Sequence, residues 1–307
     1  MLSDHVIQGC KRILNRLKGA RLWGRAYDAD SGREAMKARM VILSIVILSA
    51  MLLCSCGEPG NGSPLPDPPS PPSIPVLPAD GQFDNVIVNV AQEGDVEQIE
   101  FGTPGKDKIV QYGGTGTTTQ YAEGSEGDDW ILQVGGDGQT DQTVDSGTGS
   151  DSIYQFGGKG DSNMYVSAGQ VAIGDHSTVL QVGGDSINVM NIHGGEGTAT
   201  IQQYGGQGDN TMTIRGATSD DTTKMYGGKG NDTMTYYLTA GNDKVTINAG
   251  QGDDTLTIEK NQQNFTLVDS NSKVIFQSGD GGSEITVVNV EHIKVIGDNG
   301  ETLFQQG

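Results

Sequence analysis

Between residues 102 and 259 the chain alternates short apolar stretches with turns that are rich in glycine. Within each stretch apolar residues fall at every second position, together with threonine and aromatic residues, which predicts short β-strands. One class of stretches carries a glutamine at a fixed place: Ile109–Tyr112, Ile131–Val134, Ile153–Phe156, Val179–Val182 and Ile201–Tyr204. The other class is richer in methionine: Met164–Val166, Met190–Ile192, Met212–Ile214, Met234–Tyr236 and Leu256–Ile258.

The glycines between these stretches recur with a period of eleven residues. Fourteen units align from Gly102 onward when a four-residue insertion is placed near Gln170, and the fourth position is glycine in eleven of them. Because the two classes of strand alternate, the structural repeat is 22 residues long. Two turns and two strands that close every 22 residues predict an all-β fold, a parallel β-roll or β-solenoid of about seven coils.

The glycine frame ends near Lys260, but strand-like stretches continue beyond it. They are Phe265–Val268, Val274–Phe276, Ile285–Val288 and Ile293–Ile296. The open ends of a solenoid must be closed against edge-to-edge association, so we expect residues 260–307 to form a β-rich C-terminal cap. The predicted β-roll spans residues 82–259, and Gln82–Asn89 is the candidate for closing its other end.

The glutamine-bearing strands carry two further signals. Stacked amides can hydrogen-bond along a solenoid, so the recurring glutamines predict an internal ladder of Gln111, Gln133, Gln155, Gln181 and Gln203. Residues of the opposite parity make one flank unusually apolar: Tyr112, Val134, Phe156, Val182, Tyr204 and Tyr226, with Val110, Leu132, Tyr154 and Leu180. Either a terminal segment covers this flank, or strand parity is reversed there, or the flank binds a protein or glycan partner or a second copy.

The first residues have the pattern of an export signal. Lys37 and Arg39 precede the apolar run Met40–Leu53, whose fourteen residues reach only about 21 Å as a helix and so fit a signal peptide better than a membrane span. Leu53–Cys56 resembles the bacterial lipobox, which implies cleavage before Cys56 and lipidation of that cysteine. The alternative is an ordinary secretory signal. Residues 1–35 are too long for a normal leader, so we expect translation to start at Met36, with a cytoplasmic extension as the alternative.

These signals divide the N-terminal part of the chain into two segments. Residues 1–55 are expected to be removed, as a mis-assigned start followed by a signal peptide. Residues 56–81 begin with the lipidated cysteine and hold nine of the ten prolines, a composition that predicts an extended linker. The expected location is therefore outside the cytoplasm, lipid-anchored to the outer membrane or cell surface, or secreted if the lipobox is not used.

The charge of the chain favours cations as its partners. The formal net charge is −20, and residues 56–307 carry 35 acidic against ten basic residues, which gives −25 after the expected cleavage. Such a chain repels the phosphates of nucleic acids. Cys56 is the only cysteine in residues 56–307, so an internal disulfide cannot brace the fold.

Two turns closely match a calcium-binding motif. Gly227–Thr235 reads GGKGNDTMT and Ala249–Thr257 reads AGQGDDTLT, and residues 102–259 thereby resemble the repeats-in-toxin (RTX), or hemolysin-type, family with its nonapeptide GGxGxDxUx, where U is a large apolar residue. The resemblance implies that the motif's aspartates and turn carbonyls bind Ca²⁺ between coils. The metal-site residues it implies here are Asp107, Asp129, Asp151, Asp221, Asp232, Asp243 and Asp254, with Gly228, Gly230, Gly250 and Gly252. The eleven-residue unit departs from the family's nine.

The spacing of the aspartates also favours a metal. Two carboxylates one coil apart, at about 4.8 Å, repel by about 0.9 kcal/mol in water and by more at lower dielectric, and oxygen ligands at that spacing suit Ca²⁺. In the middle coils Ser177, Ala199, Asn188 and Asn210 take the aspartate position, so hydrogen bonds must hold those turns. The alternative is a metal-free solenoid with solvated acidic turns.

No arrangement of residues in the sequence indicates catalysis. His176, His193 and His292 are isolated, and neither HExxH nor GxSxG occurs. We therefore expect a calcium-binding protein that is not an enzyme, with a structural or adhesive role at the bacterial cell surface. The alternatives are a secreted solenoid that binds a ligand or glycan through its apolar flank, and a non-catalytic module of a larger surface assembly.

Overall fold

The fold is taken from a computed structural model that describes residues 68–168, 176–260, 265–270, 273–278, 283–297 and 299–307. The expected signal peptide, Cys56 and the insertion near Gln170 lie outside these residues. The described part is all-β, with one 3₁₀ turn at Asp80–Gln82 and no α-helix. None of its helices has the length and apolarity that crossing a membrane requires.

The strands follow one another at nearly constant spacing, as the eleven-residue period predicts. They are β1 Asn85–Val90, β2 Val96–Phe101, β3 Asp107–Tyr112, β4 Thr118–Glu123, β5 Trp130–Val134, β6 Thr140–Asp145, β7 Ser152–Phe156, β8 Ser162–Ser167, β9 His176–Val182, β10 Asn188–His193, β11 Thr198–Gly206, β12 Thr211–Arg215, β13 Thr222–Lys229, β14 Thr233–Leu238, β15 Lys244–Gln251, β16 Thr255–Lys260, β17 Phe265–Ser270, β18 Lys273–Ser278, β19 Glu284–Val288, β20 His292–Ile296 and β21 Thr302–Gln306.

Odd-numbered and even-numbered strands form two separate sheets, except that β18 lies in the odd-numbered sheet and β21 in the even-numbered sheet. The first has the order β1-β3-β5-β7-β9-β11-β13-β15-β19-β18-β17, and the second has the order β2-β4-β6-β8-β10-β12-β14-β16-β20-β21. Neighbouring strands are parallel as far as β19 and β20, and the register places Ile109 beside Ile131 and Ile131 beside Ile153. The prediction of a parallel β-solenoid with a 22-residue repeat is therefore confirmed, with about eight turns.

Parallel stacking continues beyond both ends of the glycine frame. β1 and β2 pair in parallel with β3 and β4, so residues 85–101 form a further coil. β19 and β20 pair in parallel with β15 and β16, whereas β17, β18 and β21 are antiparallel additions at the C-terminal end. The period-two apolar pattern is enough to extend the stack where the glycines are missing.

The inward side chains stack in columns of like residues. Methionines form one such column in the even-numbered sheet, from Met164 to Met234. The predicted glutamine ladder is present in the other sheet, where each Nε2 donates to the Oε1 of the glutamine one coil earlier at 2.8 Å. A second ladder joins Gln98, Gln120 and Gln142 at 2.8 and 2.9 Å. Within each ladder the amides pair with one another inside the core, where an unpaired amide would be costly, and only the Oε1 atoms of Gln142 and Gln203 at the ladder ends lack a partner.

The apolar flank is the outer face of the odd-numbered sheet, and its side chains form a second buried cluster. Val110 and Leu132 are fully buried, although they point away from the core. Strand parity is not reversed, because Ile109 and Gln111 face inward as expected. A terminal segment lies on the flank instead.

That segment, residues 68–80, is here called the strap. Near β3, the Nζ atom of Lys108 donates to the carbonyl oxygen of Pro78 at 2.8 Å and pairs with Asp80 at 2.7 Å. At the other end, Pro68–Pro71 and the stacked rings of Tyr204 and Tyr226 line one cavity of about 230 Å³. From β3 to β13 is five strand spacings, about 24 Å, and ten residues in polyproline conformation reach about 31 Å. The strap therefore crosses the strands between.

Candidate cation sites on two edges of the solenoid

All seven aspartates of the repeat motif lie along two edges of the solenoid, in the turn just before a strand or, for Asp107, at the first residue of the strand. Edge one consists of the turns that lead into the odd-numbered strands from β3 to β15, and edge two of the turns that lead into the even-numbered strands from β4 to β16. Edge one carries Asp107, Asp129, Asp151, Asp221 and Asp243, and edge two carries Asp232 and Asp254. Each is at most 2 % exposed, so the structure gathers them into buried columns.

One oxygen of most of these carboxylates joins two coils. Oδ1 of Asp129 accepts the backbone N–H of Asp107 at 2.8 Å, and Oδ1 of Asp151 accepts that of Asp129 at 3.0 Å. On edge two, Oδ1 of Asp254 accepts the N–H of Asp232 at 2.7 Å. The aspartate at this position thus links two coils through a hydrogen bond, because its Oδ1 accepts a backbone N–H that would otherwise have no partner in the turn.

The second oxygen has no such use at four of the positions. Oδ2 is buried and makes no hydrogen bond in Asp129, Asp232, Asp243 and Asp254. A Cβ added to Gly227 would collide with both Oδ2 of Asp232 and the carbonyl oxygen of Ala249, so these two oxygens share one side of the turn. Two acceptors that face each other in a buried turn repel unless a proton or a cation lies between them.

Coils that carry asparagine at the same position solve this problem with an amide. Nδ2 of Asn188 donates to the carbonyl oxygen of Gly205 at 3.0 Å and to Oδ1 of Asn210 at 2.7 Å. Nδ2 of Asn210 in turn donates to Oδ1 of Asp232 at 2.8 Å and to the carbonyl oxygen of Gly227 at 3.4 Å. The middle of edge two is therefore held by hydrogen bonds, as the sequence predicts.

The buried carboxylates of the two edges carry a large electrostatic cost. Burial raises the pKa of Asp129 from 3.8 to about 8, of Asp232 and Asp243 to about 7, and of Asp221 to about 6. Backbone N–H donors oppose this rise and neighbouring carboxylates add to it. Burial also raises the pKa of Asp254. At neutral pH such groups hold a proton or lie beside a positive charge, and a bound cation lowers the same pKa values.

Of the four glycines implied as site residues, Gly228 and Gly250 lie near the ends of β13 and β15, and Gly230 and Gly252 lie in the turns that follow on edge two. Gly228, Gly230 and Gly250 have φ of 111°, 95° and 104°, which side-chain-bearing residues rarely adopt. Gly252 is the fourth, and a Cβ there would collide with the carbonyl oxygen of Gly230 one coil earlier. Their stacking brings turn carbonyls of successive coils close together.

The acidic and histidine side chains do not form compact clusters. In the described residues no group of three or more His, Cys, Asp or Glu side chains is placed to hold a metal ion. The donors available at each turn are instead one or two carboxylates together with backbone carbonyl and hydroxyl oxygens. This all-oxygen set fits a hard cation such as Ca²⁺, which takes carbonyl ligands as readily as carboxylates.

The sequence analysis did not predict a second row of hydrogen bonds between coils, which lies beside the motif aspartates. Oδ1 of Asp128, Asp209 and Asp220 accepts the backbone N–H of the residue 22 positions later, at 2.7 to 3.0 Å. The sequence does carry a signal for them, because each stands directly before the sixth position of a repeat unit, next to Asp129, Asn210 or Asp221. The columns also end on residues outside the repeat frame, since Asp243 N–H donates to Ser283 and Asp254 N–H donates to Glu291.

Comparison with known proteins finds no matching family model, no matching curated protein and no matching solved structure.

Proposed function

We propose that this chain is an exported, calcium-binding β-solenoid without enzymatic activity, which acts as a structural or adhesive element at the bacterial cell surface. The observation that supports calcium binding is the buried Oδ2 of Asp232, which faces the carbonyl oxygen of Ala249 where neighbouring coils have an amide N–H. A cation that binds between these oxygens removes both the repulsion and the need for a proton. Because the turns exist only in the folded chain, binding stabilises the fold.

Calcium is the cation that the donor set favours. The turns offer carboxylate, carbonyl and hydroxyl oxygens, and Ca²⁺ accepts six to eight such ligands in flexible geometry at about 2.3–2.6 Å. Mg²⁺ demands near-octahedral geometry and gives up its waters reluctantly. Zinc prefers nitrogen and sulfur ligands, which the edge aspartates do not provide.

Asp232→Asn tests the proposal because it copies the solution found at Asn210. In chelator, the new amide can donate to the carbonyl oxygen of Ala249, so we expect a melting temperature at or above that of the parent. In millimolar Ca²⁺ the parent gains stability and Asp232→Asn gains less, so the order reverses. Thermal unfolding of both proteins in each buffer, with calorimetric titration, measures this.

Asp137→Asn is the matched control, since Asp137 is exposed and pairs with Lys159 on the surface. It removes the same charge and should keep the full response to Ca²⁺. A parent protein whose melting temperature is the same in chelator and in Ca²⁺, with no heat of binding, contradicts the proposal.

The surface location rests on the signal pattern and on Cys56, both outside the described residues. Lipidation at Cys56 would hold the solenoid at a membrane surface by its N-terminal side. Fatty-acid labelling tests this part: label must enter the parent protein and be lost in Cys56→Ser. Label that persists in Cys56→Ser contradicts the anchor.

A further inference from the structure

Tyr236 is an unusual member of the core. It lies in β14 between Ile214 and Ile258 of the neighbouring coils and is fully buried. Its hydroxyl makes no hydrogen bond of normal geometry, and only the hydroxyl of Thr223 lies near enough to act on it as a weak partner, although buried tyrosine hydroxyls normally have a good partner. An isoleucine or leucine would fill the column without this cost, so the hydroxyl calls for an explanation.

The hydroxyl belongs to a group of oxygens that converge on one point of edge one. From the position that a Cβ on Gly216 would take, Oδ2 of Asp221 lies at 2.7 Å, Oγ1 of Thr239 at 3.0 Å and Oη of Tyr236 at 3.5 Å. Gly216 has no side chain, so no Cβ occupies the point on which these oxygens converge. Oγ1 of Thr239 is also buried without a partner.

A second carboxylate lies next to this group. Asp243, one coil further, has a buried Oδ2 without a partner, while its Oδ1 accepts the N–H of Asp221 at 3.0 Å. Burial raises the pKa of Tyr236 well above 10.0, and the charges of Asp243 and Asp221 raise it further. Both carboxylates are thus close enough to act on the phenol.

We propose that Asp221, Asp243, Tyr236 and Thr239 form a divalent-cation site of their own, with Ca²⁺ as its occupant. Two carboxylates supply a charge of −2 that a divalent ion neutralises, and two neutral hydroxyls supply further hard oxygen ligands. The site rests on the proposed function but differs from the other turns, because two of its donors stand outside the turn motif. Tyr236 lies in a strand, and Thr239 begins the next turn.

Tyr236→Phe removes only the phenolic oxygen and keeps the shape of the core residue. We expect calorimetric titration of the full chain with Ca²⁺ to lose one equivalent in this variant. Terbium, which replaces Ca²⁺ and emits when a nearby tyrosine is excited, should lose the part of its luminescence that Tyr236 sensitises. Thr239→Val should weaken the same equivalent while leaving Tyr236 in place, which covers the case in which Tyr236→Phe folds poorly.

Tyr237→Phe is the control, because Tyr237 lies on the outside against the guanidinium of Arg215 at 4.3 Å. It should keep both the equivalent and the luminescence. An unchanged number of Ca²⁺ equivalents in Tyr236→Phe and Thr239→Val, with Asp232→Asn losing one, overturns this site alone and leaves the proposed function standing. If luminescence falls while the equivalents do not change, the phenol is near an ion but not bound to it, which also overturns the site. A parent chain that binds no Ca²⁺ removes the proposed function and this site together.

Discussion

A single position of the repeat determines how successive turns are joined. Asn188 and Asn210 join them with an amide, Ser177 accepts the backbone N–H of Asp151 through its hydroxyl at 3.3 Å, and Asp232 leaves one oxygen that faces a carbonyl. Asparagine and aspartate have nearly the same size and serine is smaller, and the three residue types differ in charge and in hydrogen-bond donors. The number of aspartates at this position therefore sets how strongly the fold depends on protons or cations.

This dependence gives the metal-free protein an unusual response to pH. The affected aspartates have a pKa of about 6 to 8 in the folded chain and near 3.8 when unfolded. Between these values the folded state binds more protons, so the free energy of unfolding falls as pH rises from about 4 to about 8. Denaturant unfolding in chelator across that range should show this fall. Saturating Ca²⁺ keeps the carboxylates ionised and should flatten it.

General repulsion in so acidic a chain acts in the same direction, and a pair of variants separates the two effects. Asp129→Asn removes a group with a pKa of about 8 and should reduce the slope between pH 5 and 8 by up to one proton. Asp137→Asn removes one exposed charge and should leave most of the slope. A metal-free protein that becomes more stable between pH 5 and 8 would show that the buried aspartates do not control the response.

The residues of the site were predictable to different degrees. The seven aspartates follow from position counting, because the repeat fixes both their turn and their edge. The partnerless Oδ2 atoms do not, since they depend on which oxygen the backbone N–H one coil earlier selects. Tyr236 and Thr239 were not predicted either, because their link to Asp221 is a property of one turn and not of the repeat.

At the scale of the element, the glutamine ladders convert strand stacking into a cooperative array. Nε2 of Gln155 donates to Oε1 of Gln133 at 2.8 Å and to the carbonyl oxygen of Tyr165 at 3.2 Å, and its own Oε1 accepts from Gln181. Every inner member thus joins three neighbours across the core. The last member, Gln203, has a free Oε1 and is followed by Met225.

The cost of breaking the ladder should depend on where it is broken. Gln155→Leu strands the amide of Gln181 as well as two acceptors, whereas Gln203→Leu strands acceptors only. Each stranded buried group costs about 1–3 kcal/mol, so we expect Gln155→Leu to lose at least about 1 kcal/mol more than Gln203→Leu. Denaturant unfolding of the two variants measures the difference. Equal losses would mean that the ladder does not act through its donors.

Element boundaries show where repeat counting stops being informative. The parallel coils formed by β1, β2, β19 and β20 lack the glycine frame, so the sequence places those segments in caps or outside the repeat. Their alternating apolar residues, such as Ile285 and Val287, nevertheless continue the core columns above Val245 and Ile247. Packing against an existing stack thus extends the fold where turn chemistry alone predicts an end.

At the scale of the whole molecule, the strap runs over a second buried apolar cluster on the outer face of the odd-numbered sheet. A proline-rich segment has no periodicity, so the sequence predicts a linker. Only the structure shows that residues 68–80 of this segment contact the outer face of the odd-numbered sheet. The apolar flank and the strap are therefore one structural unit that the sequence presents as two unrelated features. Val110 and Leu132, fully buried on the outer face, are its most protected members.

Removing the strap should expose this second buried cluster. A chain that begins at residue 81 loses the partners of Lys108 and uncovers the flank, where a fully buried Val or Leu side chain contributes about 1.5–3 kcal/mol. We expect it to unfold at a lower temperature, to bind a hydrophobic dye and to associate as its concentration rises, by light scattering. A chain that begins at residue 68 keeps the strap and serves as the control. If the two chains melt together and remain monomeric, residues 68–80 do not protect the flank, and its burial must come from the sheet itself.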